Sequence, residues 1–178
     1  GNNNVAVGYS AGSNITGTSN ITIGSNAGDA LTTGGYNVAI GLNALGASTG
    51  IYWSVCIGDS AGGSGTGTPD HLIAIGYHAA QKTTGTGNIA IGKDALAENV
   101  DGVRNIAIGY GAMDDQQAGG TQTTSDGSID NIFIGYDAGG GAWADAASNY
   151  NVGIGNYVMD AAMNGIVYCT AMGHNALS

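Results

Sequence analysis

The sequence predicts an all-β protein, a parallel β-solenoid of about ten coils of 16–18 residues each. Three observations predict it: a short motif recurs at near-constant spacing, its branched residues alternate with small ones, and polar turn residues separate its copies. The clearest copy, residues 88–96, reads Asn-Ile-Ala-Ile-Gly-Lys-Asp-Ala-Leu. The glycines of the ten copies are Gly8, Gly24, Gly41, Gly58, Gly76, Gly92, Gly109, Gly135, Gly155 and Gly173.

The residues before each glycine predict a short strand. Val or Ile stands three and one residues before the glycine in nine of ten copies, with a mostly small residue between them. Branched residues two apart are typical of a strand with one face packed inward. We therefore expect the branched pairs to form the structural core inside the coil. The pairs are Val5 and Val7, Ile21 and Ile23, Val38 and Ile40, Val55 and Ile57, Ile73 and Ile75, Ile89 and Ile91, Ile106 and Ile108, Ile132 and Ile134, and Val152 and Ile154.

The glycine itself predicts a corner, and the residues that follow predict a return turn. Runs such as residues 83–87, Thr-Thr-Gly-Thr-Gly, supply positive φ and side-chain bonds to the backbone. Seventeen residues cannot hold a crossover helix, so the strands are expected to stack as parallel rungs. Seven of ten copies begin with Asn, which predicts a ladder of stacked amides. Ala stands three residues after the glycine in nine of ten copies, so it is expected to face something close.

The repeat covers the chain as one domain, residues 1–178, which opens in the middle of a motif and reads as a piece of something longer. Two intervals between glycines, 26 and 20 residues long, break the period. Extra residues in a solenoid map to loops on one face. The sequence therefore predicts longer lateral loops at 113–130 and 139–150.

Composition excludes several classes of partner. The formal net charge is −10 with only three basic residues, so a nucleic-acid partner is not expected. No apolar run approaches the length of a membrane span, so membrane insertion is not expected either. Cys56 and Cys169 fall six copies apart, which predicts no disulfide between them.

The repeat also predicts association. Burying a Val or Ile stabilises by roughly 1.5–3 kcal/mol. Two such residues hardly offset the conformational entropy of ordering a coil, roughly 1–2 kcal/mol for every residue fixed. A lone chain is therefore expected to be marginally stable, and we predict an obligate oligomer.

The motif resembles two known groups of repeats. Residues 37–41, Asn-Val-Ala-Ile-Gly, resemble the head repeat of YadA-type trimeric autotransporter adhesins. They also resemble the Asn-x-Ala-[Val/Ile]-Gly-Tyr-x-Ala repeats of phage tail fibres. The tyrosines after Gly8, Gly76, Gly109 and Gly135 favour the phage version. The similarity runs from Asn4 to Leu177.

This resemblance implies a left-handed parallel β-roll, a homotrimer, and a place on the virion surface or on an extracellular or cell surface. The expected function is a structural and adhesive segment of a trimeric phage tail fibre that contacts a host cell-surface receptor or glycan. A first alternative is the head domain of a bacterial trimeric autotransporter adhesin. A second is an ice- or surface-binding β-solenoid. The Thr residues of this chain, however, do not keep one position from copy to copy and lie at turns. Copies with Ser54, Leu72 or Thr170 in motif positions depart from the pattern.

Two groups of residues are candidates for binding, and each has a structural alternative. The insertion between Gly109 and Gly135 is either a lateral contact for a glycan or receptor or a tolerated bulge in a solvated turn. Its candidate contacts are Asp114, Asp115, Gln116, Gln117 and Thr121. Aromatic rings suit both sugar stacking and packing at a trimer seam. The candidate rings are Tyr52, Trp53, Trp143 and Tyr150.

Catalysis and cofactors are not expected. The chain has no nucleophile elbow, no zinc-protease helix motif and no phosphate loop after a strand. The acidic insertion lacks the spacing of a calcium loop, and the three histidines, His71, His78 and His174, fall on separate copies. Neither a catalytic site nor a metal site is therefore predicted, and the acidic side chains are interpreted as solvated turn residues.

Overall fold

In the computed structural model, the part of the chain that is described comprises residues 1–63, 67–114, 127–141, 143, 147–161, 163 and 165–178. Ten three-residue strands form one parallel sheet in which each strand pairs with the next along the chain. The strands are β1 (Val5–Val7), β2 (Ile21–Ile23), β3 (Val38–Ile40), β4 (Val55–Ile57), β5 (Ile73–Ile75), β6 (Ile89–Ile91), β7 (Ile106–Ile108), β8 (Ile132–Ile134), β9 (Val152–Ile154) and β10 (Thr170–Met172). The register keeps like positions together, with Ile89 opposite Ile106 and Ile91 opposite Ile108.

This arrangement confirms the all-β prediction and a β-solenoid of about nine turns. Each turn of the chain returns to the same sheet and adds one rung, because the short interval between copies allows only that connection. Within the described ranges, no helix has the length and apolar character needed to cross a bilayer. Both cysteines are free, and burial raises the pKa of the Cys56 thiol to about 12.

The facing of the strands differs from the prediction. In every strand from β3 to β8 the middle residue is buried and its two branched neighbours are only half-buried. The branched pairs therefore lie on the outer face of the sheet, and the expectation that they fill the coil is wrong. It is wrong for Val5, Val7, Ile21, Ile23, Val38, Ile40, Val55, Ile57, Ile73, Ile75, Ile89, Ile91, Ile106, Ile108, Ile132, Ile134, Val152 and Ile154.

The interior of the coil explains the reversal, because it is too narrow for two branched residues from each strand. It takes the single middle residue of each strand, the alanine column three residues after the glycine, and a third column four residues after it. The alanine column was expected to face either the far wall of the coil or another chain, and it faces the interior of the coil. Larger buried side chains enter from the return segments, among them Leu31, Ile51, Leu72, Trp143 and Met163.

Two interior positions compensate each other in volume in several rungs. The alanine at the middle of β3, β6 and β7 is matched four residues after the glycine by Leu45, Leu96 and Met113, whereas Ala74 in β5 is matched by the small Ala80. Where the strand centre is Phe133, that residue is Gly139, and a Cβ there would lie 2.8 Å from the ring. Gly153 at the centre of β9 is matched by Met159. In these rungs a large residue at one position is matched by a small one at the other, as close packing requires.

A buried asparagine ladder lies beside the strands and confirms the predicted amide column. The Oδ1 of Asn105 accepts the backbone N–H of Asn131 at 3.0 Å and its Nδ2 at 3.0 Å. The Nδ2 of Asn131 also donates at 2.8 Å to the carbonyl of Ser148, in the turn that precedes the next strand. Three rungs have Ser54, Leu72 or Cys169 in place of asparagine, and in the first of them the hydroxyl of Ser54 accepts the N–H of Leu72 at 3.0 Å. The ladder thus joins each rung to the next and each strand to its return turn.

The corners depend on left-handed backbone at four positions in each rung. The corner glycine has φ between +121° and +145° in all ten copies. A Cβ on Gly92 would lie 2.3 Å from the carbonyl oxygen of Gly109 on the next rung, so only glycine fits. The residues five before, two after and four after the glycine also have positive φ throughout. Ser, Asn, Asp and aromatic residues occupy most of these non-glycine positions outside the coil.

The volume compensation gives a test of the interior. Phe133→Ala should lower the free energy of unfolding by about 3–5 kcal/mol, because the cavity cannot collapse between stacked rungs. Adding Gly139→Leu reproduces the Ala and Leu pair of β6 and should recover about half of that loss, since leucine in left-handed backbone itself costs about 1–2 kcal/mol. Urea unfolding followed by circular dichroism measures both. A double variant no more stable than Phe133→Ala would contradict the compensation.

Candidate functional site

The outer face of the sheet carries three features that run the length of the solenoid. The apolar strip consists of the nine branched pairs together with Thr170 and Met172. The upstream column holds the residues five before each corner glycine: Asn3, Ser19, Tyr36, Trp53, His71, Gly87, Arg104, Asp130, Tyr150 and Tyr168. The downstream column holds the residues directly after it: Tyr9, Ser25, Leu42, Asp59, Tyr77, Lys93, Tyr110, Tyr136, Asn156 and His174.

The apolar strip is continuous and carries no charge. Its side chains stack in register because the strands pair residue for residue. Its exposure is greatest at the ends, where Val7 is 57% and Met172 is 69% exposed. Nine steps of about 4.8 Å make it roughly 43 Å long. A contiguous apolar surface of this length is larger than scattered exposed side chains would produce.

The upstream column is a row of stacked rings interrupted by an ion pair. Trp53 is 55% exposed and stacks on Tyr36 at 6.1 Å and on His71 at 5.2 Å between ring centroids. Tyr150 stacks on Tyr168 at 5.0 Å with the ring planes 4° apart. These contacts follow from the register, because one residue of each rung sits above its counterpart at close to ring-stacking distance.

The ion pair of the upstream column is bidentate. The Nε of Arg104 donates to Oδ1 of Asp130 at 2.7 Å, and its Nη2 donates to Oδ2 at 2.8 Å. The carboxylate raises the pKa of Arg104, and the guanidinium lowers the pKa of Asp130. The Arg104 side chain is 57% exposed and that of Asp130 is 30% exposed, so solvent screens the pair, which orients the two side chains more than it stabilises the fold.

The downstream column combines rings with one cation. The Nζ of Lys93 lies 4.7 Å from the ring centroid of Tyr110 and 5.6 Å from that of Tyr77. It also pairs with Asp94, whose hydrogen bond is the main cause of the raised pKa of Lys93. Tyr110 in turn stacks on Tyr136 at 5.1 Å with the ring planes 8° apart.

Stacking along the columns uses the ring faces. Trp53 has one ring on each side, and Tyr110 has Lys93 on one side and Tyr136 on the other. A pyranose stacks on the face of an aromatic ring, and these faces are occupied within the chain. The rings therefore present mainly their edges to whatever lies beside the solenoid.

The predicted binding residues have different outcomes. Trp53 and Tyr150 are exposed members of the upstream column. Tyr52 is half-buried, with its N–H donating to Asp70 and its hydroxyl donating to the carbonyl of Thr33 at 2.9 Å. Trp143 is 2% exposed and packs edge-on against Phe133.

Exposure was therefore the wrong expectation for Trp143, and equally for Asp114, which is 5% exposed. The Nε1 of Trp143 donates to the carbonyl of Gly139 at 2.7 Å, so the ring fills the interior with its polar atom paired. The remaining candidates from the insertion lie outside the described residues; they are Asp115, Gln116, Gln117 and Thr121.

Most of the column residues are not recognisable from the sequence as members of one site. Tyr36, His71 and Arg104 stand at one fixed offset from the corner glycine, as do Trp53 and Tyr150. That common offset was the available signal. It was hidden because the residues differ in type, whereas repeat analysis looks for residues that are the same.

The threonines of the return turns are engaged within the coil. The hydroxyls of Thr16 and Thr32 each donate to a carbonyl of the following coil at 3.0 Å, and Thr84 does the same to Val100 at 3.0 Å. A Thr surface suited to ice would present free hydroxyls in a flat array. In these threonines the hydroxyl hydrogen is committed to the backbone.

An acidic cavity of about 140 Å³ lies toward the C-terminal end of the sheet, and it is lined by Asp137, Gly140, Tyr157 and Asp160. Burial, and secondarily the charge of Asp160, raise the pKa of Asp137. Nowhere in the described ranges do three His, Cys, Asp or Glu side chains come together as a metal-binding cluster would require.

Asp137 gives a pH-dependent test. A raised pKa in the folded state means that its contribution to stability is fully present below the ordinary pKa of 3.8 and is lost as the pH rises through the raised value. Asp137→Asn, which tolerates the local φ of +45°, should therefore raise the melting temperature slightly at pH 7. The difference from the wild type should vanish at pH 3. A larger stabilisation at pH 3 than at pH 7 would contradict the assignment.

Comparison of the chain with protein-family models, with curated proteins and with solved structures gives no match. What bears on function is therefore the outer face of the sheet and the repeat that builds it.

Proposed function

We propose that this chain is a non-enzymatic structural and adhesive segment of a trimeric phage tail fibre, with its apolar strip facing the fibre axis. The observation that supports it best is the uncharged ladder of Val and Ile left half-exposed along the whole sheet. Large uncovered apolar surfaces on a protein mark sites of association. An elongated strip with a regular period is best covered by another surface with the same period.

The size of the strip supports association of several kcal/mol. A surface roughly 43 Å long and about 10 Å wide covers about 400 Å². At about 25 cal/mol per Å², covering it would contribute on the order of 10 kcal/mol per chain before the entropy of association is subtracted. This is the burial that the interior of a single coil, filled largely by alanine, does not provide.

Copies of the same chain are the partner with the matching period. Three strips meeting at one axis bury all their branched residues together and leave the return turns outside. The number three and the left-handed coil come from the resemblance of the repeat to tail-fibre and YadA-type sequences. The head of a bacterial trimeric adhesin would use the strip in the same way, and tyrosine after four of the glycines favours the fibre.

The strip provides the test of association. Ile91→Asp places an unpaired charge on the axis of the assembly, which costs several kcal/mol, so the mass from light scattering should fall from three chains to one. Since Ile91 lies outside the coil, the change leaves the interior packing intact, and loss of the trimer should lower the melting temperature of the β-type circular dichroism signal. Ser13→Asp adds the same charge at an exposed position off the strip and should leave the trimer intact. Trimers that persist with Ile91→Asp would refute the role of the strip.

The adhesive role is tested separately. We propose that the lateral loops carry the receptor or glycan contact, so a chain lacking residues 116–125 should keep its oligomeric mass and lose binding to host cells in a pull-down with whole bacteria. A Gly-Ser segment of the same length in place of residues 116–125 is the matched control for loop length and should also fail to bind. Full binding by both variants would show that the contact lies elsewhere on the chain.

A further inference from the structure

The upstream and downstream columns flank the apolar strip on opposite sides. Within a rung the two columns lie six positions apart, which is roughly 20 Å of extended chain. Among the described residues, the ring and cation contacts of Trp53, Arg104 and Tyr150 stay on the upstream side, and those of Tyr77, Lys93 and Tyr110 stay on the downstream side. No such contact joins the two columns within one chain. Each column therefore has an outer side with no partner in its own chain.

Cyclic association decides what meets each column. When parallel copies turn their strips toward a common axis, the upstream side of one copy meets the downstream side of the next. The chain climbs about 4.8 Å per coil of about 17 residues, so the six residues between the columns correspond to a rise of roughly 1.7 Å. That offset is less than half of the spacing between rungs. Each upstream residue consequently faces the downstream residue of the same rung.

The residues that this geometry brings together are chemically matched. On the rung of β7, Arg104 meets the edge of the partner's Tyr110, whose hydroxyl can accept a hydrogen bond from the guanidinium. On the rung of β8, the carboxylate of Asp130 meets the partner's Tyr136, whose hydroxyl can donate to it. On the rung of β6, Gly87 leaves space for the partner's Lys93.

We infer that the two columns form the seam between copies of this chain, with Arg104 donating a hydrogen bond to the hydroxyl of the partner's Tyr110 and Asp130 accepting one from the partner's Tyr136. The inference rests on the proposed association and names the side chains that fix its register. The bidentate pair between Arg104 and Asp130 supports it, because the pair holds both side chains in place before a partner arrives. Ordering them in advance lowers the entropy lost on binding.

The area also fits a stable interface. A face about 20 Å wide and roughly 43 Å long offers each chain around 800 Å², which a trimer divides between two neighbours, so each chain buries in total about as much as one partner of a standard protein interface. The apolar strip would form its dry centre and the two columns its polar rim. Tyrosine, tryptophan and arginine, which the columns contain, are the residues enriched at such interfaces.

Cross-linking tests the pairing directly. In a Cys169→Ser background, Ser19→Cys and Ser25→Cys put near-isosteric thiols on the two columns of the same rung, and Cys56 stays buried. A short bismaleimide, unable to span the roughly 20 Å between these sites within one chain, should join double-variant chains into covalent trimers on denaturing gels. Each single variant should stay uncross-linked, because like columns do not meet. Ser19→Cys with Asn156→Cys, seven rungs apart, is the mismatched control.

A double-mutant cycle tests the chemistry of the seam. Arg104→Ala and Tyr110→Ala should each raise the dissociation constant of the assembly. The double variant should raise it by less than the product of the two single effects, and the shortfall, the coupling, should be about two- to fivefold. These residues do not touch within one chain, so coupling reports contact between copies. A cycle without coupling would remove this pair from the seam.

The results of these experiments distinguish the pairing of the two columns from the association on which it rests. If light scattering finds single chains under all conditions, both the association and the seam are refuted. If it finds trimers that the matched double-cysteine variant does not cross-link, the strip still drives association and the seam alone is refuted. Equal cross-linking by the matched and mismatched pairs would likewise refute rung-for-rung pairing.

Discussion

The structure depends on one constraint, the stacking of identical positions directly above one another at the spacing of a parallel sheet. Two features impose it. The buried amides of the asparagine ladder each bond to the next rung and to the turn that precedes it. The corner glycines allow the next backbone to approach to a distance that no side chain would permit. A shift of one residue would leave buried amides without partners, at a cost of about 1–3 kcal/mol for each unsatisfied group.

Because the rungs stack, each position of the repeat forms a column along the solenoid, and the columns inside and outside the coil have different roles. Inside the coil, neighbouring columns adjust to each other, so that Phe133 and Gly139 occupy the same volume as Ala90 and Leu96. Outside the coil, a column becomes a line of chemistry along the solenoid. The apolar strip gathers the half-exposed branched residues into one surface, and the two flanking columns place rings and charges at its borders. The apolar strip and its flanking columns therefore use different residues of the same rung.

Much of the fold could be predicted from the repeat, because period, alternation and corner glycines are local signals. The strands, their order, their register and the amide ladder follow from them. The facing of the strands did not follow, since alternation shows that two faces differ but not which one is enclosed. The interior volume of the coil decides this, and it depends on residues such as Leu96 that lie outside the strand. Trp143 was misplaced for a related reason: its ring fills space beside Phe133 that no motif records.

The upstream column has a wider consequence. Its residue adopts left-handed backbone in every rung, yet it is glycine in only one, and elsewhere it is Asn, Ser, Tyr, Trp, His, Arg or Asp. The conformation is held by the rungs above and below, so the position accepts almost any side chain at a similar local cost. Substitutions at such a position can change the outer surface of the solenoid one rung at a time, and with it the surfaces that the solenoid can contact, while the scaffold stays the same.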